Sequence, residues 1–157
     1  DNPRPYDNEL VPAVEVVSTR PGALWLGYEG KFPWTPKFWE IAPQMQGGVL
    51  SIKGDVGPEQ GAVVFTGYLK APADGEYSFS LTADSGAVMR IHDANIIDAD
   101  FGYESGSEIS GSVRLEAGLH PFRLNYLKSG GKAPSLDVQW SGPSLKKQPI
   151  SVEYLFN

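Results

Sequence analysis

Three aspartates at two places along the chain have side chains that could take part in ligand chemistry. Asp84 belongs to the stretch "TADSG" between two strand-like runs, and Asp98 and Asp100 follow in "NIIDADFGYESG". Carboxylates can ligate a hard cation, accept hydrogen bonds from sugar hydroxyls or, as a spaced pair, hydrolyse a glycosidic bond. Asp98 and Asp100 share a face if their stretch is extended. Solvated hairpins have the same composition. The residues alone therefore allow two interpretations, a polar rim around a ligand and a plain turn.

Two loops are expected to lie beside these carboxylates. The first, 99–110, is longer than a hairpin needs and carries Tyr103, which we expect to present an exposed ring for a sugar to stack on. The second is "KSGGKAPS" at 128–135. The sequence therefore predicts a ligand site at one end of the fold, formed by 82–87, 98–106 and 128–133. Its candidate ligand-binding residues are Asp84, Ser85, Gly86, Asp98, Asp100, Tyr103, Ser129, Gly130 and Gly131.

A second group of aromatic residues lies in "KFPWTPKFWE" at 31–40. Exposed rings can bind sugars, but a loop that crosses a sheet also fills the core with such side chains, and the core interpretation is favoured. Trp34 and Trp39 remain the second place to look for a glycan. Trp25 and Trp140 lie on strand-like runs and are expected inside.

Catalysis is not expected, and no catalytic residues are predicted. His92 and His120 are the two histidines, and no nucleophile elbow accompanies either of them. The sequence has no HExxH motif or histidine cluster for zinc. A glycosidase pair would have to join Asp84 to Asp98 or Asp100, and a sandwich of this size offers little depth for the groove such a pair needs.

Composition narrows the class of protein further. The 157 residues carry a net charge of −6, and their longest basic cluster is Lys146-Lys147, which argues against nucleic acid and against anionic membrane surfaces as partners. There is no cysteine, and no apolar run approaches the length of a membrane span. No signal-peptide pattern opens the chain, and its polar, proline-rich beginning is typical of a linker between modules.

The pattern of short apolar runs predicts an all-β protein, an antiparallel two-sheet sandwich. Strands are expected at 13–17, 22–30, 49–54, 62–71, 76–83, 87–93, 95–98, 111–118, 119–128, 135–142 and 150–156, with one weak helical candidate at 36–43. Period-2 alternation predicts a core that contains Tyr77, Phe79, Leu81, Phe122, Leu124, Leu136, Val138 and Trp140. Residues 1–20 are expected to be an extension leading into the first strand, and 21–157 a single domain.

The order of these features resembles the PA-fourteen domain, the jelly-roll-like β-sandwich named after the protective antigen of anthrax toxin. The resemblance covers about 23–156, and its most specific parts are "FTGYLKAPADGEYSF" at 65–79 and the strand pair around "DSG". It implies a lectin-like accessory module of the kind found in secreted glycosidases and sulfatases and in yeast adhesins.

Sugar-binding members that the chain resembles have two adjacent aspartates where this chain has "DSG". A cis peptide bond joins the two aspartates, and their carboxylates together bind one Ca²⁺ ion. This ion also coordinates two neighbouring hydroxyls of the sugar. Here Asp84 matches the first aspartate, and Ser85 stands where the second would be. A hydroxyl is a poorer calcium ligand than a carboxylate, so calcium at Asp84 is disfavoured, no cofactor is predicted, and a plain Asp-Ser-Gly turn is favoured.

The resemblance and the residues together predict a non-catalytic, carbohydrate-binding accessory module of a secreted multidomain polysaccharide-active enzyme. Its expected partners are a polysaccharide or cell-surface glycan and the neighbouring domains of the parent enzyme. Its expected location is secreted, cell-surface or periplasmic. The alternative is a spacer or interdomain interaction module without a ligand.

Overall fold

The computed structural model describes residues 10–31, 42–100, 103–130 and 133–157. Within these ranges the chain is almost entirely β-structure, with one short 3₁₀ helix at Val152–Tyr154. No helix in this part of the chain has the length and apolar character to cross a bilayer. The strands are β1 Ala23–Glu29, β2 Met45–Val49, β3 Gln60–Ala71, β4 Gly75–Ala83, β5 Ala87–Ile91, β6 Ala94–Ala99, β7 Glu108–Leu115, β8 Gly118–Ser129, β9 Leu136–Gly142, β10 Leu145–Pro149 and β11 Leu155–Phe156.

The strands form two antiparallel sheets that pack as a sandwich, which confirms the predicted fold class. One sheet has the order β2-β1-β3-β8-β5-β6, and the other has the order β10-β9-β4-β7. The short β11 pairs with the second half of β3, beyond the part of β3 that pairs with β1. Strands β3 and β8 are the longest, at 12 residues each, and they pair along their whole length.

The core lies between the sheets and follows the alternation of the sequence. On β4, Tyr77, Phe79 and Leu81 are fully buried while Glu76 and Ser78 are exposed, because successive side chains of a strand point to opposite faces. The Trp140 ring packs on Tyr77 at a centroid distance of 5.5 Å. All eight predicted core residues are buried, namely Tyr77, Phe79, Leu81, Phe122, Leu124, Leu136, Val138 and Trp140. Trp25 is partly buried and packs against this core.

The strands that the sequence did not indicate are both at sheet edges. Strand β2 (MQGGV) contains two glycines and no alternation, and β10 (LKKQP) is charged and ends in proline. Edge strands commonly have such residues, which discourage pairing with other chains. The predicted strand at 49–54 is wrong beyond Val49.

The predicted strands at the two ends of the chain are largely wrong. Residues 13–17 contribute only an isolated bridge at Val14, and 150–156 is a 3₁₀ turn followed by the two-residue β11. Val11 nevertheless reaches the core and exchanges backbone hydrogen bonds with Arg114 and Glu116. The helical candidate at 36–43 lies mostly outside the described residues.

Candidate functional site

The Asp84-Ser85-Gly86 turn joins β4 to β5 and therefore connects the two sheets. The Asp84 carboxylate accepts hydrogen bonds through Oδ1 from the Tyr126 hydroxyl and from the backbone N–H of Ser135, the latter at 3.0 Å. The backbone N–H of Asp84 in turn donates to the Ser135 carbonyl at 3.0 Å. The turn is thus held by its own aspartate, and the peptide bond between Asp84 and Ser85 is trans.

Only one oxygen of the Asp84 carboxylate is used in these contacts. Both bonds end on Oδ1, and no described residue donates to Oδ2. The Asp84 side chain is half-buried, as is Ser85 beside it. The turn therefore combines a fixed carboxylate with an oxygen that can accept a hydrogen bond from a ligand.

The end of β6 lies against this turn. A Cβ placed on Gly86 would stand 3.1 Å from the Ala99 carbonyl oxygen and 3.6 Å from the Asp100 Cα, so the two segments touch. Asp98 is exposed, and its Oδ1 accepts the backbone N–H of Asp100 at 3.3 Å. Asp84, Gly86, Asp98 and Asp100 thus belong to one end of the sandwich.

The expectation that Tyr103 presents an exposed ring is wrong. Its side chain is half-buried and packs against the core. Its hydroxyl donates to the Ser107 carbonyl at 2.5 Å and accepts the backbone N–H of Ala83 at 3.1 Å. Gly106 also donates to the Ala83 carbonyl, at 2.9 Å. The loop folds back on the end of β4 because its tyrosine satisfies backbone groups there, so Tyr103 shapes the rim next to Asp84.

The second predicted loop, 128–135, has two neighbours: its last residue, Ser135, bonds to Asp84, and its first residues lie against Gln60. The Ser129 carbonyl accepts the side-chain amide of Gln60 at 3.1 Å, and Gly130, with a positive φ of 73°, packs on the same side chain. These contacts place both residues beside the start of β3. Gly131 lies outside the described residues, as do Trp34 and Trp39.

Two residues of β8, Tyr126 and Lys128, were not among the predicted site residues. Burial and the bond to Asp84 raise the pKa of the Tyr126 hydroxyl, which therefore stays a donor. Lys128 is only 7% exposed, and its Nζ donates to the Val56 carbonyl at 2.9 Å. Phe122, Leu124 and Tyr126 alternate onto the inner face of β8, and the same alternation continues to Lys128. The sequence pattern therefore places Lys128 inside, but lysine is rarely buried and was not assigned there.

The residues present do not fit a calcium ion. Ca²⁺ prefers six to eight oxygen ligands. At this turn Ser85 offers a hydroxyl instead of a second carboxylate, and Asp84 Oδ1 already faces two donors. Across the described part of the chain, no group of three or more histidine or acidic side chains is placed to hold a metal.

The two histidines form a separate pair: His120 is buried at the opposite end of the inner face of β8, and His92, directly after β5, is half-buried. His120 Nε2 lies 2.7 Å from the Glu116 carbonyl oxygen, and its Nδ1 lies 2.8 Å from His92 Nε2. A carbonyl can only accept, so His120 Nε2 carries a proton. One of the two facing ring nitrogens donates to the other, and the pair forms a short chain of hydrogen bonds that ends at the Glu116 carbonyl.

Comparisons with solved structures show the same fold in proteins of several kinds. An anti-sigma factor domain-containing protein from Clostridium clariflavum is 22% identical, with a TM-score of 0.68, and the match covers 99% of this chain and 52% of that chain. The Epithelial Adhesin 9 A domain from Candida glabrata, solved with Galβ1-3GlcNAc, is 13% identical, with a TM-score of 0.66 and 92% of each chain covered. A β-glucosidase from Kluyveromyces marxianus, solved with glucose, is 21% identical, with a TM-score of 0.59, and 78% of this chain and 16% of the enzyme are covered.

These similarities establish the fold alone, because every identity is below 25%. The chain spans about half the length of the two anti-sigma factor structures that it matches, 47% and 52%. No curated protein sequence matches it. A family model described as the PA14 domain matches residues 43–154. Since that match covers well over half of the chain, the chain belongs to the PA14 domain family.

Proposed function

We propose that this domain is a non-catalytic carbohydrate-binding module whose ligand contacts the end of the sandwich at Asp84. The observation that carries the proposal is the state of the Asp84 carboxylate. Its Oδ1 is fixed by Tyr126 and Ser135, and its Oδ2 receives no hydrogen bond from a described residue. A carboxylate that is already oriented loses little freedom when a hydroxyl donates to its second oxygen, which favours binding.

The neighbouring groups indicate the class of ligand. Asp98 is exposed beside the turn, and Glu104 is exposed in the following loop. Carboxylates accept hydrogen bonds from hydroxyl groups and repel anions, so this rim favours neutral glycans over sulfated or uronic-acid polysaccharides. The adhesin that shares the fold was solved with a neutral galactoside, which supports the same class.

The affinity of the isolated module is expected to be modest. A shallow polar rim keeps little free energy after desolvation and ordering, so the Kd is about 10⁻³–10⁻⁵ M. Attached to a secreted glycosidase or sulfatase, such a module raises the local concentration of the enzyme at its polysaccharide. The fold's occurrence in a β-glucosidase supports a parent that acts on carbohydrate. A secreted parent would place this module outside the cell.

The test is affinity electrophoresis against neutral, sulfated and uronic-acid polysaccharides, with the variant Asp84→Asn. An asparagine keeps an oxygen that accepts from Tyr126 and Ser135, but it replaces Oδ2 with an amide donor. The variant is therefore expected to stay folded, with a somewhat lower melting temperature because Tyr126 then donates to a neutral acceptor, and to lose retardation in neutral gels. Glu76→Gln, the same change at an exposed position on the opposite end of β4, is the control.

A ligand-free spacer is the second candidate, and the packing of Tyr103 favours it. Carbohydrate sites usually offer a flat aromatic ring, and this ring packs against the core instead. If no polysaccharide retards the protein, the spacer interpretation is correct. If a glycan retards both the wild type and Asp84→Asn equally, the proposed site is wrong and the Trp34–Trp39 stretch is the next to be tested.

A further inference from the structure

The loop between β2 and β3, residues 50–59, is held against the sandwich along much of its length. Ile52 and Val56 are partly buried and pack against the core cluster. Gly54 and Pro58 are buried, although neither belongs to a strand. The loop is therefore a fixed part of the fold and not a solvated connection.

Gly54 brings this loop onto the hydroxyl group that orients Asp84. A Cβ placed on Gly54 would stand 3.1 Å from the Tyr126 hydroxyl oxygen and 3.4 Å from the Leu136 Cβ. The same hydroxyl donates to Asp84 Oδ1 and accepts the backbone N–H of Ser135 at 3.2 Å. Because glycine has no side chain, the loop backbone can lie against this hydroxyl without displacing it.

Lys128 holds the loop in this place from the same strand. Its side chain lies on the inner face of β8, two residues beyond Tyr126, and is only 7% exposed. Its ammonium donates to the Val56 carbonyl at 2.9 Å. A buried donor without a partner is costly, so this bond resists movement of the loop. Strand β8 therefore contacts the loop twice, once through Tyr126 and once through Lys128.

We propose that the stretch 52–56 is the positioning element of the Asp84 site. Gly54 and Lys128 are its positioning residues: Lys128 holds the loop, and the Gly54 backbone keeps the Tyr126 hydroxyl directed at Asp84 Oδ1. The carboxylate is then held with Oδ2 left for a ligand. The effect on a glycan rests on the function proposed above, whereas the positioning is a property of the domain without a ligand.

The first test compares two glycine-to-alanine variants of the whole domain by NMR. Neither Gly54 nor Gly48 has a positive φ, and a Cβ on Gly48 would meet only the Ala23 carbonyl oxygen, at 3.7 Å. Gly54→Ala is expected to shift the signals of the Tyr126 hydroxyl proton and the Asp84 carboxyl carbon, because the new methyl group presses on that hydroxyl. Gly48→Ala is the matched control and is expected to leave both signals in place.

The second test removes the hydrogen bond that holds the loop. Lys128→Met keeps most of the side-chain length but has no donor for the Val56 carbonyl, and it is expected to shift the same two signals. Lys70→Met, the same change at an exposed position on β3, is expected to leave them unchanged. With a polysaccharide that retards the wild type, Gly54→Ala and Lys128→Met are each expected to raise the Kd by about two- to tenfold, the effect of one hydrogen bond.

The outcomes separate positioning from packing. Lower melting temperatures with unchanged Asp84 and Tyr126 signals would mean that the loop only fills space, and would overturn the proposal. Shifted signals with wild-type retardation would also overturn it, because the orientation of the carboxylate would then not matter for the glycan. Shifted signals together with weaker retardation support it. If no polysaccharide retards the wild type, the proposed function is wrong, and the two NMR signals alone decide the positioning.

Discussion

The Tyr126 hydroxyl donates a hydrogen bond to the Asp84 carboxylate, joining the middle of one sheet to the turn that leads out of the other. Tyr126 is fully buried and Asp84 is half-buried, so the bond holds the carboxylate from the side of the core. A hydrogen bond to a charged group contributes about 1.5–3 kcal/mol.

The first prediction concerns this bond. Tyr126→Phe is expected to lower the free energy of unfolding by about 1.5–3 kcal/mol, because the Asp84 carboxylate loses a donor in a half-buried place. Urea denaturation measures it. Tyr68→Phe, which removes the same hydroxyl from the outer face of β3, should change the free energy by less than about 0.5 kcal/mol. Equal effects of the two substitutions would contradict the prediction.

A second prediction concerns the core. Phe79 is fully buried on β4, and its ring lies 5.9 Å from that of Trp140 between centroids. Phe79→Ala is expected to cost about 3–5 kcal/mol, since the apolar contacts are lost and a cavity remains. Chemical denaturation with a two-state fit gives the value. A loss below about 1 kcal/mol would mean that this face of β4 is solvated.

The histidine pair predicts a pH dependence of stability. Burial lowers the pKa of both His92 and His120; the neighbouring ring lowers that of His92 further, and Asp93 and Glu116 oppose the effect only in part. The unfolded chain therefore binds protons near pH 6.5 that the folded chain refuses. The free energy of unfolding should be constant above about pH 7 and fall as the pH drops below about 6.5.

Urea unfolding between pH 5.5 and 8 checks this dependence. The double variant His92→Gln/His120→Gln removes both titrating rings, and its free energy of unfolding should change less over this window. If the wild type and the double variant lose stability in parallel, other groups cause the dependence and the prediction is wrong.

A fourth prediction concerns calcium. Because Ser85 replaces a carboxylate and Asp84 Oδ1 is already engaged, we expect calcium to bind at Asp84 more weakly than about 1 mM, if at all. Calorimetric titration of Ca²⁺ into chelator-treated protein measures it. A micromolar site that disappears in Asp84→Ala would overturn this expectation.

The sequence predicted the fold because the core strands alternate clearly between apolar and polar residues. Phe79 and Trp140 follow that pattern, and both are buried. The same signal fails at the edges, where β2 and β10 contain the glycines, lysines and proline that keep edges unpaired.

The site was predicted less completely, because its contacts depend on long-range pairing. The turn at Asp84 could be read locally, but its bonds to Tyr126 and Ser135 depend on how β4, β8 and β9 are arranged. Tyr103 was expected to be exposed because it lies in a long loop. Its hydroxyl instead bonds to backbone groups of Ala83 and Ser107. No local sequence pattern predicts that the loop folds back onto the end of β4.

The backbone ladder between residues 20–22 and 155–157 has a mechanical consequence. The backbones of Arg20 and Asn157 exchange two hydrogen bonds of 2.8 Å, and Gly22 donates to Leu155 at 2.7 Å. Tension applied between residues 20 and 157 would act across this small ladder and open it bond by bond. The turn at Asp84 lies near the other end of β3, away from that line of force, so its geometry would persist while the ladder carried the load.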